Sequence, residues 1–499
     1  MSRARQLAVV AAVAALFAAC GGCSRVAIKP GHAAGDTTRI ARVEHGLLPT
    51  VAIRGRPDTA YVLADRMRRY RVPAVSIAVI DGGRLAWSRA YGVLEAGGAQ
   101  PADPATLFQA GSISKAIAAV AAMRCVERGL LALDEDVNRR LLAWKVPAGR
   151  WSAARPVTLR GLLSHGSGLN VPSFPGYTSD AAIPTVLQVL EGAPPANTPP
   201  VRVEIEPGAE WRYSGGGMTV VQQLLADVSG RPFSEVLRET VLDPAGMTHT
   251  VAEQPLAPAR AASAATGHSA GAPVAGRWRV HPELAAAGLW STAPDLARFG
   301  LAMLHAIRGG SGGLLRPETA REMVTRQIGD WGLGFALGEA GESTTVGHDG
   351  STVGYAARLL VLPATGQGIA VMTNGESEAL LDEIVRAVER EYAWPVRPRT
   401  EKTVAMVDPE GYAALAGRYR VTVGERNFDF VVDTSGVGAE RRLLITGSSG
   451  QPGELLPLSA LRFFSQETGN EFTFEREGNA VTGMVIDQQG QRFTARRLP

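Results

Sequence analysis

The sequence predicts an α+β fold: one antiparallel sheet assembled from distant segments, helices flanking it, a helical subdomain inside it, and a small antiparallel β domain behind. Three observations carry this reading. β-rich runs joined by an Asp-Gly turn come early, at 74–87. Strand signals then return only near residue 344, and after about residue 400 the apolar period changes to two. The 499 residues are too many for a single ordinary core, which agrees with more than one domain.

The N-terminus sets the expected compartment. Arg3 and Arg5 precede an apolar run, Leu7 to Ala19, of 13 residues. A bilayer span needs about 20 residues, so the run fits a signal-peptide core instead. It ends in Phe17-Ala18-Ala19-Cys20, which resembles the lipobox of bacterial lipoproteins. Cys20 is then the lipidated first residue of the mature chain, and residues 1–19 the signal peptide. Ordinary secretory cleavage near Ala19, or use of Cys23, are the alternatives; export follows either way. Residues 20–56 read as a tether, because the Gly/Ala/Arg/Thr-rich stretch from Ser24 has no sustained period.

A main domain is expected over 57–393. Pro57 to Tyr70 carries Tyr61, Val62, Ala64 and Met67 at helical spacing. The run 74–80, the turn Asp81-Gly82-Gly83 and the run 84–87 read as a hairpin. From Ile113 to Leu133 the helical pattern is apolar nearly all round, so that helix should be buried. Helical patterns with Pro/Gly loops continue to about residue 305, with a long irregular loop at Gly192–Pro200. Strands are expected at Thr344–Gly347, Ala357–Leu362 and Gly368–Thr373, and a last amphipathic helix at Glu376–Tyr392. Trp394 to Arg399 begins a stiff linker (394–403). Alternating runs such as Asn427–Phe430 and Glu471–Glu475 make 404–499 a small sheet or barrel.

Composition narrows the function. Apolar residues are 45%, charged residues 20% and net charge +3, which suits a globular protein and argues against nucleic acid as a partner. Three cysteines give no disulfide framework. Of 51 basic residues only Lys29, Lys115, Lys145 and Lys402 are lysine. Arginine cannot release its proton in a protein and a buried lysine can, so each lysine merits inspection.

Chemistry concentrates in three separated motifs. Gly111-Ser112-Ile113-Ser114-Lys115 opens the buried helix, and residues three apart share a helix face. An amine whose pKa is lowered by burial can activate the Ser112 hydroxyl, while the helix N-terminus favours a developing oxyanion. The bland reading is an N-capping Ser112 and a snorkelling Lys115. Arg212-Tyr213-Ser214-Gly215-Gly216 offers a phenol that could serve as general base if positive charge lowers its pKa; otherwise Tyr213 is a buried turn residue. Val346-Gly347-His348-Asp349-Gly350-Ser351 ends a strand whose glycines permit close approach of a ligand, with His348 lining the cleft or merely structural.

In this order the three motifs resemble the serine beta-lactamase and penicillin-binding-protein superfamily, in the branch of class C beta-lactamases, D-alanyl-D-alanine carboxypeptidases and related esterases. Leu162–Leu169, Pro207–Ser214, Asp243–Met247 and Ala287–Leu296 fit it as well, so the resemblance spans about 57–393. It implies a beta-lactamase-like fold and an acyl-serine mechanism without metal or organic cofactor. Ser112 becomes the nucleophile, Lys115 its proton partner and Tyr213 the general base or shuttle. Backbone N–H groups of Ser112 and Ser351 form the oxyanion hole. His348 lies beside the substrate carboxylate or leaving group, and Gly215, Asp349 and Gly350 border the substrate. The implied partners are a small-molecule or peptide substrate and, through Cys20, a membrane.

Two departures matter. Gly215 stands where the family has asparagine, and His348 replaces the lysine of many beta-lactamases. Both favour an exported esterase or peptidase over an efficient lactamase, with a binding lipoprotein of low turnover as the alternative. Gly267-His268-Ser269-Ala270-Gly271 matches a nucleophile-elbow pattern but lacks the strand before and the helix after that such an elbow needs.

Overall fold

The computed structural model describes residues 34–340, 343–395, 399–423, 426–447, 450–488 and 490–499. The expected signal peptide, Cys20, Cys23, Lys29, the first part of the expected tether and Val396–Pro398 of the linker lie outside the described residues. Two compact units result, one built on residues 72–376, the other on 37–71, 377–393 and the described residues after 398.

In the first unit the Asp81-Gly82-Gly83 turn closes the hairpin of β1 (Ala74–Asp81) and β2 (Arg84–Gly92). β1 is buried on both faces as far as Ile80, which explains its unbroken apolar run. The remaining strands are β3 (Ala336–Ala340), β4 (Ser343–Thr352), β5 (Tyr355–Leu362) and β6 (Gln367–Thr373). They complete an antiparallel sheet of order β2-β1-β6-β5-β4-β3, so segments more than 250 residues apart become neighbours at the β1–β6 pairing. β3 carries no β-branched residue, which is why its sequence gave no strand signal.

Helices cover this sheet and build the subdomain inserted between β2 and β3. α1 (Ile113–Glu127) is buried on nearly every side, as its all-round apolar pattern requires, and ends short of Leu133 at a left-handed Gly129. It packs against α2 (Gly215–Ser229) and against β4 and β5. α3 (Ala293–Ile307), capped by Thr292 on Asp295, lies across β1, β2, β5 and β6. Among the described residues, no helix is long and apolar enough to cross a membrane.

In the second unit, strands β7 (Gly417–Val423) to β14 (Gln491–Arg497) close an eight-stranded antiparallel barrel around Tyr419, Phe463, Phe472, Phe474 and Met484. The division differs from the linear reading in two places. Residues 34–44, expected within the tether, form a helix. Residues 57–71 and 377–393, expected in the main domain, group with the barrel. A buried ionic network holds them there: Arg66 forks onto Glu383 at 2.8 and 2.6 Å and reaches Glu467 at 2.8 Å. Arg69 also binds Glu467, at 2.7 Å, and the Tyr70 hydroxyl donates to Glu383. Charges paired only across such distant segments leave no periodic trace in the sequence.

Candidate active site

Ser112 lies between the left-handed Gly111 turn and the first residue of α1. Its hydroxyl makes no capping bond to the helix, so the N-cap reading fails. Lys115, one turn on, donates from Nζ to Ser112 Oγ at 2.9 Å and to the Ala286 carbonyl at 2.7 Å. Lys115 is 2% exposed and cannot snorkel. Burial among apolar neighbours lowers its amine to about 7, which leaves much of it uncharged near neutrality. The pair expected from helical spacing is therefore formed, with the electrostatics that activation of a serine needs.

Tyr213 faces the same hydroxyl, and Lys115 Nζ is 4.9 Å from its ring centroid. The expectation that positive charge lowers its pKa needs correcting. Burial dominates and pushes the phenol up to about 12, against the opposing effect of the Ser112 hydroxyl. Among the described residues the cation set against its ring is Lys115, and burial favours the uncharged amine there. Tyr213 thus rests as a neutral phenol, suited to passing a proton on rather than to starting as the base.

β4 supplies the third side. In a strand successive side chains alternate faces. His348 and Gly350 are buried, whereas Asp349 and Ser351 point out. An added Cβ at Gly350 would lie 2.0 Å from the Ala110 carbonyl oxygen, and one at Gly111 would lie 2.7 Å from Ser351 N. These two glycines therefore let the strand press on the Ser112 turn. That contact sets the Ser351 backbone N–H against Gly111, the residue before Ser112, on the side where the oxyanion hole is expected. Asp349 departs from its expected place at the substrate. Its carboxylate forks onto Arg358 of β5 at 2.8 and 2.7 Å, on the face away from His348.

His348 Nδ1 donates to the Asp349 carbonyl at 2.6 Å, and its buried Nε2 has no protein partner among the described residues. Burial, with Lys115 nearby, lowers its pKa to about 4, so the imidazole is neutral at physiological pH. It therefore lacks the charge to hold a substrate carboxylate. Gly215 also departs from its substrate-binding assignment, since the Phe174 ring and the Pro172 carbonyl crowd its Cβ direction.

Three further residues complete the wall. His165, left-handed at the end of the helix Leu159–Ser164, lies 4.4 Å from the Tyr213 ring and accepts from Ser214 N–H at Nδ1. Trp331 lies 5.9 Å from Tyr213 and 5.3 Å from His348. Trp211 stands beside both Tyr213 and Trp331 and is 42% exposed. The stretch 162–169 was visible in the sequence, but nothing in its spacing assigned His165 a role. The elbow-like segment makes a short hairpin in which His268 is fixed by Asn374 and Ala96, with no nucleophile between strand and helix. Among the described residues, no group of three or more His, Cys, Asp or Glu is placed to hold a metal ion.

Comparison with known proteins agrees with this geometry. The Beta-lactamase family model matches residues 60–393. The chain is 27% identical to penicillin-binding protein 4 of Amycolatopsis lactamdurans over 70% of this chain and 93% of that one. It is 30% identical to esterase EstB of Burkholderia gladioli over 40% of this chain and 52% of that one. In fold it resembles the octameric penicillin-binding protein homologue of Pyrococcus abyssi, with a TM-score of 0.57, 22% identity, and coverage of 87% of this chain and 98% of that one.

Proposed function

The chain belongs to the beta-lactamase family and is a serine hydrolase, and from that premise we propose that it cleaves uncharged acyl esters through an acyl-Ser112 intermediate. The observation that carries the ester reading is His348. A buried imidazole lowered to about 4 is neutral where many beta-lactamases place a lysine. A substrate carboxylate brought there would lose one charge-assisted hydrogen bond, worth ~1.5–3 kcal/mol or about 10–100-fold in rate. An ester brings no such charge. The 30% identity to an esterase supports the same reading.

The steps follow from the groups in place. Neutral Lys115 takes the proton of Ser112 Oγ, which bonds to the acyl carbon, and the resulting oxyanion rests on the N–H groups of Ser112 and Ser351. Tyr213 passes a proton to the departing alkoxide as the carbon–oxygen bond breaks and recovers one from protonated Lys115, which returns to its neutral form. Water then attacks the acyl carbon as Lys115 takes its proton; the bond from the acyl carbon to Ser112 Oγ breaks, the carboxylic acid leaves, and the proton on Lys115 restores the Ser112 hydroxyl. Each oxyanion-hole donor contributes about 3 kcal/mol to such a transition state.

A panel of p-nitrophenyl esters and nitrocefin tests the substrate class. The ester is expected to exceed nitrocefin in kcat/KM by at least about 10-fold, the lower bound set by the missing charge; faster turnover of nitrocefin would overturn the ester reading. We also propose that the enzyme works from the cell envelope, anchored by lipid on Cys20. Detergent phase partition should then move the protein from the membrane to the soluble fraction on Cys20→Ser, and an unchanged distribution would refute the anchor.

A further inference from the structure

We propose that Phe174, seated over Gly215, forms an apolar acyl-binding subsite, so that the substrate's acyl part is an alkyl or aryl chain. This rests on the ester-hydrolase reading above. Gly215 is the first residue of α2, two positions after Tyr213. A Cβ built there would lie 3.0 and 3.3 Å from Phe174 Cε2 and Cδ2 and 3.1 Å from the Pro172 carbonyl oxygen. A side chain there needs both the ring and the Pro172 carbonyl to give by a few tenths of an ångström. Glycine at 215 and phenylalanine at 174 are thus one feature: the ring takes the space in which a polar side chain on α2 would otherwise meet the substrate.

The segment that delivers Phe174 is tied down on both sides. The Asn170, Val171 and Pro172 carbonyls accept from Ser214 Oγ at 2.7 Å, Gly216 N–H at 2.9 Å and Gly215 N–H at 3.2 Å. Asn170 in turn binds Pro200, Arg202 and Glu204. Between these ties Val171 adopts φ 59°, a left-handed conformation that opposes its branched side chain. Such strain persists only where the surroundings over-determine it, as it does in many ligand-contacting segments. Its structural result here is the position of Phe174, three residues on. Phe174 packs on the core yet stays half-buried, and its ring lies against Gly215, two residues after Tyr213. Trp331 and Trp211 extend the aromatic surface on the other side of that tyrosine.

The test measures kcat/KM for p-nitrophenyl hexanoate and acetate in wild type, Phe174→Ala, Phe174→Tyr, Gly215→Asn and the Phe174→Ala/Gly215→Asn double variant. Removing the ring is expected to lower the hexanoate-to-acetate ratio by about 10-fold, the scale of a lost apolar contact in a substrate pocket. Phe174→Tyr, which keeps the ring, should preserve the ratio. Gly215→Asn alone should lose soluble protein or turnover, and the double variant should recover it as the asparagine gains room. If Phe174→Ala is insoluble, Phe174→Ser, which likewise removes the apolar contact, carries the same expectation for the ratio. An unchanged ratio in a folded ring-less variant, or Gly215→Asn tolerated with the ring present, overturns the subsite alone. Failure of wild type to hydrolyse any ester overturns the ester reading and the subsite with it.

Discussion

Lys115→Arg should fold and yet acylate about ten-thousand-fold more slowly than wild type, the upper range for loss of a general base. The argument is one of proton affinity rather than of charge. Lys115 is lowered to about 7 by burial, so a large neutral fraction exists at physiological pH. Arginine in the same place keeps its proton at any pH a protein survives. Tyr213 cannot substitute, because its phenol is pushed up to about 12 and only about one molecule in 100,000 would be a phenolate at pH 7. Fluorophosphonate or fluorescent-penicillin labelling, followed in time, reads the acylation rate directly, with Ser112→Ala as the floor. The guanidinium is larger than the amine, so Lys115→Met, of similar length and no charge, provides a second variant with the same expected loss. Labelling within tenfold of wild type in either would transfer the base role from Lys115 to another group.

The parts of this site that sequence made legible are those governed by local periodicity. Ser112 and Lys115 are three apart in a run apolar on every side, and that pattern alone implies a helix, a shared face and a buried amine. The alternation of a strand likewise implies that His348 and Asp349 cannot both face the cleft; the outward Asp349, forked onto Arg358, follows from a rule available in the sequence. Other features were invisible for a physical reason. The state of Tyr213 depends on how completely its surroundings exclude water, and those surroundings come from segments near residues 112, 165, 331 and 348. Phe174 meets Gly215 only because a strained loop crosses the start of α2. The helix over 34–44 has few large apolar residues to announce it, and the placement of 57–71 and 377–393 follows ionic pairings between residues as far apart as Arg66 and Glu467. Family resemblance located the nucleophile, but the protonation states of Lys115, Tyr213 and His348 follow from burial.

One proton on Lys115 should be visible in two independent titrations. For activity, kcat/KM should rise about tenfold per pH unit up to about 7 and then level off, because the neutral amine is the working form. His348, lowered to about 4, and Tyr213, raised to about 12, leave that plateau undisturbed through mildly alkaline pH. Glu283 requires a control. It lies in the loop that supplies the Ala286 carbonyl, and burial pushes its carboxyl up to about 7. Glu283→Gln should keep the activity midpoint, and a lost or displaced midpoint would assign the proton to the carboxyl instead. For stability the sign is opposite to that of a favourably paired lysine. The folded-state pKa lies below the unfolded value near 10.5, so the unfolded chain takes up this proton first as pH falls. Between about 10.5 and 7 the buried amine therefore costs the native state ~1.4 kcal/mol per pH unit, and below 7 the cost is constant. Urea unfolding of Lys115→Met against wild type should show the variant gaining relative stability as pH is lowered through that window, then no further gain below it. A stability difference independent of pH from 10.5 to 7 would mean that Lys115 holds its proton throughout, and that the activity midpoint belongs to another group.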